Sequence, residues 1–188
     1  LIVTVVAFLL QGASETYALQ FALWPPGPLF RPWQLITYAF LHGSTVHIFF
    51  NMFAVYMFGS ELERYWGPRR YLFLYGSSIL FAGLTRLYVA SKSAAMYPTL
   101  GASGAISAVL FASIVYRPEQ SLFILPFPFP IPAPLFAVGY LAYTWWSTKQ
   151  AKARINHDAH FAGALTGLAF VAIVHPQAYS RALSLLGS

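Results

Sequence analysis

The 188-residue chain has no cysteine and few charged residues, which together make up 9% of it. The lack of cysteine excludes disulfides and thiolate metal sites, although it leaves the redox compartment open. A water-soluble globule usually has about 25% charged residues, so this chain has too few to cover one. With 58% hydrophobic and 18% aromatic residues and a mean hydropathy of +0.60, the composition predicts a membrane protein.

The positive charge of the chain does not indicate nucleic-acid binding. The net charge is +6, but the eleven Lys and Arg residues stand singly or in pairs between apolar runs. A nucleic-acid interface needs them clustered into a stripe. Contact with anionic lipid headgroups accounts for them more simply. We therefore expect a lipid bilayer as surroundings and no nucleic acid as partner.

Six apolar segments are candidates for membrane-spanning helices. A bilayer core about 30 Å thick needs roughly 20 helical residues, and fewer where a neighbouring helix shields an end. The first segment starts without a methionine, so we expect part of its helix to be missing. A signal peptide is a weaker alternative because no basic residue precedes the run. The six segments are 1–23, 46–66, 71–90, 100–116, 135–146 and 160–174.

The connections between these segments differ in length and charge. The segment "WPPGPLFRPWQLITYAFLHGS" is long and proline-rich, and we expect it to lie partly in the membrane interface. The segment "SELERYWGPRRY" is a short charged turn, and "RPEQSLFILPFPFPIPAP" has too many prolines for one helix. Lys and Arg number six on one predicted face and five on the other. The positive-inside rule therefore gives no orientation.

Polar side chains inside the apolar segments are costly in a membrane, so each is a candidate functional group. In the second segment, His47 and Asn51 are four residues apart and share one face of a helix. Hydrogen bonds that tie helices together are an alternative role for both. His42 precedes them in the loop, where we expect a structural role.

The fourth segment begins in "PTLGASGAIS" with a serine among small residues. Gly101 and Gly104 permit another backbone to come close, and Ser103 stands where the amide hydrogens of a starting helix are unpaired. An ordinary serine N-cap is an alternative explanation. The stretch is not the G-x-S-x-G elbow of soluble hydrolases.

The sixth segment carries a histidine at the top of a stripe of small residues. His160, Gly163 and Gly167 fall on one helix face, and the stripe contains G-x-x-x-G, which permits close helix contact. His160 is then able to reach a serine on another helix, or to serve as an interface histidine. His157 and Asp158 lack further ligands and an H-E-x-x-H motif, so we expect no metal and no cofactor.

Together these groups supply the parts of a serine hydrolase. A serine hydroxyl becomes nucleophilic when a neighbouring base accepts its proton, and the tetrahedral intermediate needs donors for its oxyanion. Ser103 is the predicted nucleophile and His160 the predicted base. The predicted oxyanion donors are His47, Asn51 and the backbone amide of Ser103. Asp158 is expected to point elsewhere, so the site is predicted to be a dyad.

The ordered set of motifs resembles the rhomboid family of intramembrane serine proteases. The motifs are H-x-x-x-N in "HIFFN", G-x-S-G in "GASG" and A-H-x-x-G-x-x-x-G in "AHFAGALTG", on the second, fourth and sixth segments. The charged turn resembles the family's E-x-x-x-G-x-x-R pattern through Glu63, Gly67 and Arg70. The resemblance covers nearly the whole chain. Each motif alone is common, but the three motifs in this order are specific to the family.

The resemblance implies an all-α membrane protein with a single domain over residues 1–188. The implied fold is a six-transmembrane-helix rhomboid bundle with a long interfacial first loop. Its Ser103–His160 dyad would cleave transmembrane segments of protein substrates in the bilayer. The glycines expected at the helix contacts of the site are Gly101, Gly104, Gly163 and Gly167.

The resemblance also implies a location and a way into the site. Both termini are expected on the cytoplasmic side of the bacterial inner membrane, and the active-site cavity is expected to open to the other side. The loop after the fifth helix is expected to cap the site. The fifth helix itself is expected to act as a lateral gate.

Two positions depart from the family pattern. Gln34 follows Trp33 where many members have an arginine, so we expect the first loop to be held more loosely. Ser107 stands where many members place an aromatic ring against the catalytic histidine. We expect Phe161 or Tyr38 to replace that ring, or the histidine to be more mobile.

Two other functions are compatible with parts of the pattern. A proteolytically inactive rhomboid-like protein would bind client transmembrane helices, but such members usually lack the serine or the histidine. A transporter or proton relay would use His47, Asn51 and His160. It predicts an internal repeat, which the sequence does not show.

Overall fold

A computed structural model describes residues 1–92, 97–123, 129–149 and 156–186, and this part of the chain is mostly helical. Its helices are α1 (Ile2–Ala13), α2 (Glu15–Phe21), α3 (Gln34–Thr37), α4 (Thr45–Ala54), α5 (Ser60–Ser91), α6 (Ser103–Tyr116), α7 (Ala133–Thr148), α8 (His157–Val174) and α9 (Gln177–Leu186). A 3₁₀ turn follows α3, and a π-helical turn joins α4 to α5. Two short strands, β1 (Ser121–Phe123) and β2 (Pro130–Pro132), pair antiparallel. The mostly helical structure agrees with the predicted all-α class, to which this hairpin is a small addition.

Two helical stretches of the described residues are long and apolar enough to cross a membrane. They are Thr45–Ser91, with 47 residues, and His157–Val174, with 18. The sequence predicted six spans, of which the second and third lie within the first stretch. The first predicted span is broken at Ser14, whose extended backbone separates α1 from α2. With 14 and 16 residues, α6 and α7 are shorter than the roughly 20 residues that a bilayer core requires.

A glycine breaks the first of these stretches at the predicted charged turn. Gly67 has φ +76° and ψ 163°, a conformation that is essentially restricted to glycine. Pro68 follows it and cannot donate a helical hydrogen bond to the preceding turn. The helical residues before and after this point therefore form two separate segments, 60–66 and 68–91, in agreement with the predicted turn.

Helix α6 lies at the centre of the fold. It contacts α5, α7 and α8, and nearly all of its residues are buried. These residues are mostly small or aliphatic, which allows several helices to pack around one axis. Because protein surrounds α6, it does not need a full lipid-facing length.

The segment between α2 and α4 is held by one completely buried amide, Gln34. Its Oε1 accepts hydrogen bonds from the backbone amides of Trp24 and Arg31, at 3.3 and 3.1 Å. Its Nε2 donates to the carbonyls of Gln20 and Leu29, at 3.2 and 3.1 Å. The amide thus uses both of its hydrogens and both of its acceptor positions. The prediction that glutamine would hold this loop loosely is wrong.

Large apolar side chains cover the outside of the helices. Exposed fractions reach 81% for Ile2, 69% for Phe73 and 81% for Ile173. So much exposed apolar surface is far beyond what a soluble monomer tolerates. A lipid environment explains it, which fits a membrane protein.

Two predicted connections are described in part. After α6, Ser121 of β1 pairs with Pro132 of β2 and Leu122 pairs with Ile131, which makes a short hairpin instead of a helix. Residues 124–128 within it lie outside the described residues. The predicted cap after the fifth span also falls largely on residues 150–155, which lie outside them too.

Candidate active site

The hydroxyl of Ser103 and the imidazole of His160 meet where α6 and α8 begin. The distance between Ser103 Oγ and His160 Nε2 is 2.6 Å, across 57 residues of sequence. Ser103 is the first residue of α6, whose N-cap position is Ala102, and no side chain caps this helix. The alternative explanation of Ser103 as a helix cap is therefore wrong, and its hydroxyl binds the histidine instead.

Glycines allow the two helices to come this close. A Cβ atom placed on Gly163 would overlap the carbonyl of Gly104, and one on Gly167 would overlap the carbonyl of Ala108. A Cβ on Gly104 would lie 2.7 Å from the Cβ of Ala82 in α5 and 3.2 Å from the carbonyl oxygen of Ala159 in α8. The backbones of α6 and α8 are thus in direct contact, which fixes the spacing between Ser103 and His160.

His47 and Asn51 project from α4 toward the segment that leads into α6. Gly101 has φ +111°, and a Cβ there would lie 2.7 Å from His47 Cε1 and 3.9 Å from Asn51 Nδ2. The amide of Gly43 donates to His47 Nδ1 at 3.4 Å, which leaves the ring proton on Nε2. Asn51 Nδ2 is buried and has no hydrogen-bond partner in the described part of the chain. Two N–H donors therefore face the residues just before Ser103.

A cavity of about 480 Å³ opens beside these groups. Both residues of the Ser–His pair and His47 line it. The backbone amides in the first turn of α6 have no helical acceptors, and the helix dipole makes this end partially positive. The arrangement combines a nucleophile, a base and several donors around a space that a peptide carbonyl can enter. The remaining lining residues are Tyr97, Pro98, Leu100 and Asn156.

His42 supports the site from beneath, a contact that its place in the sequence did not reveal. Its ring is completely buried and packs edge-on against His47, with ring centroids 4.9 Å apart. Burial, and to a lesser degree the neighbouring His47, lowers the pKa of His42 to about 4. Gln11 holds the His42 backbone with two hydrogen bonds, at 2.9 and 3.0 Å. The ring is therefore neutral at neutral pH, and Gln11 fixes its backbone.

Ser107 connects the start of α6 to α7. Its Oγ donates to the carbonyl of Ser103 at 2.9 Å, and Tyr140 Oη lies 2.8 Å from the same Oγ. Because the single hydrogen of Ser107 goes to the carbonyl, Tyr140 is the donor of the second bond. Ser107, at the position of the family's aromatic residue, thus links a hydroxyl of α7 to the backbone carbonyl of the candidate nucleophile.

The aromatic side chains expected beside His160 lie elsewhere. Tyr38 is buried and its hydroxyl donates to the carbonyl of Ile79 at 2.8 Å, so the prediction for Tyr38 is wrong. Phe161 makes no ring contact with His160 in the described ranges. The ring that packs near His160 there is His157, edge-on at 6.1 Å. The aromatic neighbour of His160 among the described residues is therefore a histidine of its own helix.

Asp158 points away from the Ser–His pair. Its carboxylate binds Arg86 of α5 at 2.9 Å. Arg86 also binds Thr99, which in turn accepts a hydrogen bond from Asn156. The sequence analysis did not identify Arg86 as the partner of Asp158, although a charged residue inside an apolar segment is a signal of a functional or paired group. Within the described ranges, no three His, Asp or Glu side chains are grouped as metal ligands.

Comparison with known proteins identifies relatives for most of the chain. A family model for the rhomboid domain matches residues 30–177. A mitochondrial rhomboid-like protein of Arabidopsis thaliana is 32% identical over 145 residues, covering 69% of this chain and 43% of that protein. A mitochondrial rhomboid protein of Saccharomyces cerevisiae is 30% identical over 141 residues, covering 72% and 40%. Rhomboid protease GluP of Bacillus subtilis is 37% identical over 109 residues, covering 58% and 18%. The chain thus spans less than half the length of each relative.

These relatives correct the predicted location. The expected bacterial inner membrane is wrong, because the plant and yeast proteins, which match over about two thirds of the chain or more, are both named mitochondrial. The prediction that the active-site cavity opens to the non-cytoplasmic side was made for that membrane and is withdrawn with it. The site motifs describe chemistry that is the same in any membrane, so they carried no information about the compartment.

Proposed function

The chain belongs to the rhomboid family, and we propose that it is an intramembrane serine endopeptidase that cleaves transmembrane segments of other membrane proteins. One observation carries the proposal: Ser103 Oγ and His160 Nε2 lie 2.6 Å apart. This is within the range in which a base accepts the proton of a nucleophile. The pair also lines a cavity with further polar groups, as hydrolysis by water requires.

The proposed reaction proceeds through an acyl-enzyme. Ser103 Oγ attacks the carbonyl carbon of the scissile peptide bond, while His160 Nε2 accepts the hydroxyl proton. The tetrahedral intermediate collapses when His160 returns this proton to the leaving amine, and the C–N bond breaks. Water then attacks the ester with His160 again acting as base, which releases the acid and restores Ser103.

The oxyanion that forms in each half-reaction needs preorganised donors. We assign this role to His47 Nε2–H, Asn51 Nδ2–H and the backbone amide of Ser103. In support, Asn51 Nδ2 is buried and lacks a hydrogen-bond partner among the described residues, and it lies one helical turn from His47, which lines the cavity. Each such donor typically contributes about 2.7 to 4 kcal/mol to the transition state.

The proposal includes the surroundings of the site. We propose that residues 1–188 form one membrane domain, with α4, α5, α6, α7 and α8 belonging to a six-helix bundle. The mitochondrial names of the plant and yeast relatives support a mitochondrial membrane as its location. The exposed apolar side chains on the helices support a bilayer as its solvent.

The test is cleavage by the full chain in detergent or proteoliposomes, with a model transmembrane substrate. A fluorophosphonate probe provides a second readout because it reacts with activated serines. We expect Ser103→Ala and His160→Ala to lower turnover by at least about 10³-fold, and both to abolish labelling.

Ser113→Ala is the matched control, because Ser113 is a buried serine of the same helix. It should keep wild-type turnover and labelling. If the probe still labels Ser103→Ala, the nucleophile is another residue. An intact wild-type chain that binds transmembrane helices but neither cleaves nor reacts would be an inactive rhomboid-like binding protein.

A further inference from the structure

We propose that the buried ion pair between Arg86 and Asp158, together with Thr99, positions His160 against Ser103. Arg86 is therefore a positioning residue for the proposed reaction, on which this inference rests. It does not touch the reacting atoms. From α5, it joins the two chain segments that carry the dyad.

The ion pair is formed between helices and is almost fully enclosed. Arg86 of α5 and Asp158 of α8 approach to 2.9 Å, and their side chains are 8% and 9% exposed. Asp158 lies in the first turn of α8, two residues before His160. Because successive helical residues turn by about 100°, Asp158 and His160 face in nearly opposite directions. The ion pair thus holds α8 from behind while His160 faces Ser103.

Thr99 connects the ion pair to the serine. Its Oγ1 accepts hydrogen bonds from Arg86 Nε at 3.1 Å and from Asn156 Nδ2 at 3.2 Å. Its backbone pairs with Leu23 through two hydrogen bonds, at 2.9 and 2.8 Å. Thr99 stands four residues before Ser103. One guanidinium therefore holds both the start of α8 and the segment that leads into α6.

The chemistry of this arrangement favours positioning over stability. Two buried charges lose their hydration, and replacing such a pair by apolar residues of similar volume is often neutral or stabilising. The rigid guanidinium fork directs Nε and Nη1 to separate partners at fixed angles, which an ammonium group cannot reproduce. An ion pair that adds little stability but fixes angles is suited to setting the geometry of the dyad.

The decisive variant is the double substitution Arg86→Met with Asp158→Leu, which removes both charges and keeps similar volume. We expect kcat to fall about 100-fold, because small misplacement of reacting groups has an effect of this size. KM should change less than about twofold, since neither residue lines the cavity. The rate of fluorophosphonate labelling should fall with kcat. The thermal unfolding midpoint in detergent should stay within a few degrees of wild type or rise.

The exposed ion pair at the opposite end of α6 gives a matched control. Arg117 and Glu61 also form a contact between an arginine and a carboxylate, but the Arg117 side chain is 44% exposed. The double substitution Arg117→Met with Glu61→Leu should leave kcat, KM and labelling unchanged. An equal loss of kcat in both double variants would contradict a specific positioning role.

Two further variants keep the inference testable if the first does not fold. Thr99→Val keeps the volume and the ion pair but removes the acceptor, and it should lower kcat about tenfold with KM unchanged. Arg86→Lys keeps the charge but not the fork, and it should be intermediate. Wild-type kcat in a folded double variant or in Thr99→Val would overturn the positioning role while leaving the proposed function intact. Failure of the wild-type chain itself to cleave and label would instead overturn the proposed function.

Discussion

Where α6 and α8 begin, the helices pack through glycines; where they end, they pack through large side chains. At the first end, Gly163 lies directly against the backbone of Gly104. At the other end, Trp66 packs against Tyr116 and Phe170, with ring centroids 5.1 and 5.5 Å apart. Leucines, valines and a tyrosine of α5, α6 and α8 complete this second cluster.

The two ends have different roles: the aromatic end stabilises the bundle, and the glycine end holds the proposed active site. The aromatic end packs large apolar side chains closely together. In a membrane, van der Waals contact of this kind is a main source of helix-packing energy. The glycine end has little side-chain volume, and the 480 Å³ cavity lies there. Its buried ion pair is costly in an apolar environment, and so is Asn51 Nδ2, which is buried without a hydrogen-bond partner among the described residues. Such costs are typical of functional sites.

Among the variants that test this difference between the two ends, Asn51→Ala is expected to have the largest effect on kcat. Removal of one oxyanion donor should lower kcat about 10²- to 10³-fold, with a smaller change in KM. Gln120→Ala is the control at the other end, because Gln120 Nε2 is also buried without a hydrogen-bond partner in the described residues. Steady-state kinetics of both variants should show a loss for Asn51→Ala alone. Equal losses would mean that the two ends do not differ in this respect.

The next effect is expected for Gly163→Val, which places side-chain atoms on the Gly104 carbonyl. Overpacking of this kind typically costs about 1 to 3 kcal/mol and moves the backbone. The unfolding midpoint in detergent and kcat should therefore both fall. Gly139→Val in α7 is the control, because among the described residues no atom outside its own stretch of helix lies within 4 Å of its Cβ position. Full activity of Gly163→Val would show that close contact of α6 and α8 does not position the dyad.

The smallest effect is expected for Ser107→Ala. It removes the hydrogen bonds to Ser103 and Tyr140, and bonds between membrane helices contribute about 0.6 kcal/mol on average. Tyr140→Phe should destabilise by a similar amount, and the double variant by less than the sum, because both remove the same bond. Ser113→Ala should be neutral, since its hydroxyl has no partner within the described ranges. Equilibrium unfolding of the four variants in detergent measures these differences.

Much of the site was predictable because its parts are local in sequence. His47 and Asn51 share a helix face by spacing alone, and the small residues around Ser103 and His160 indicate close packing. The predicted starts of the fourth and sixth spans differ from α6 and α8 by three residues each. The predicted turn at Gly67 is where the helix breaks.

What the sequence did not predict depends on contacts between distant segments. Arg86 lies inside the third predicted span and pairs with Asp158, 72 residues away, and no local pattern indicates this partner. Tyr140 meets Ser107 across 33 residues, and no local pattern connects them. The break at Ser14 was missed because an apolar run is compatible with one helix or two. Partners of this kind follow from the packing of helices and cannot be read from periodicity.

The four hydrogen bonds of Gln34 give the segment before α4 an anchor that carries no charge. An arginine or a carboxylate in this position would respond to dissolved ions or to acidity through screening or titration. A carboxamide carries no charge and does not titrate, so salt concentration and pH leave its hydrogen bonds unchanged. The segment that leads to α4 is therefore held in the same way over a wide range of salt concentration and pH.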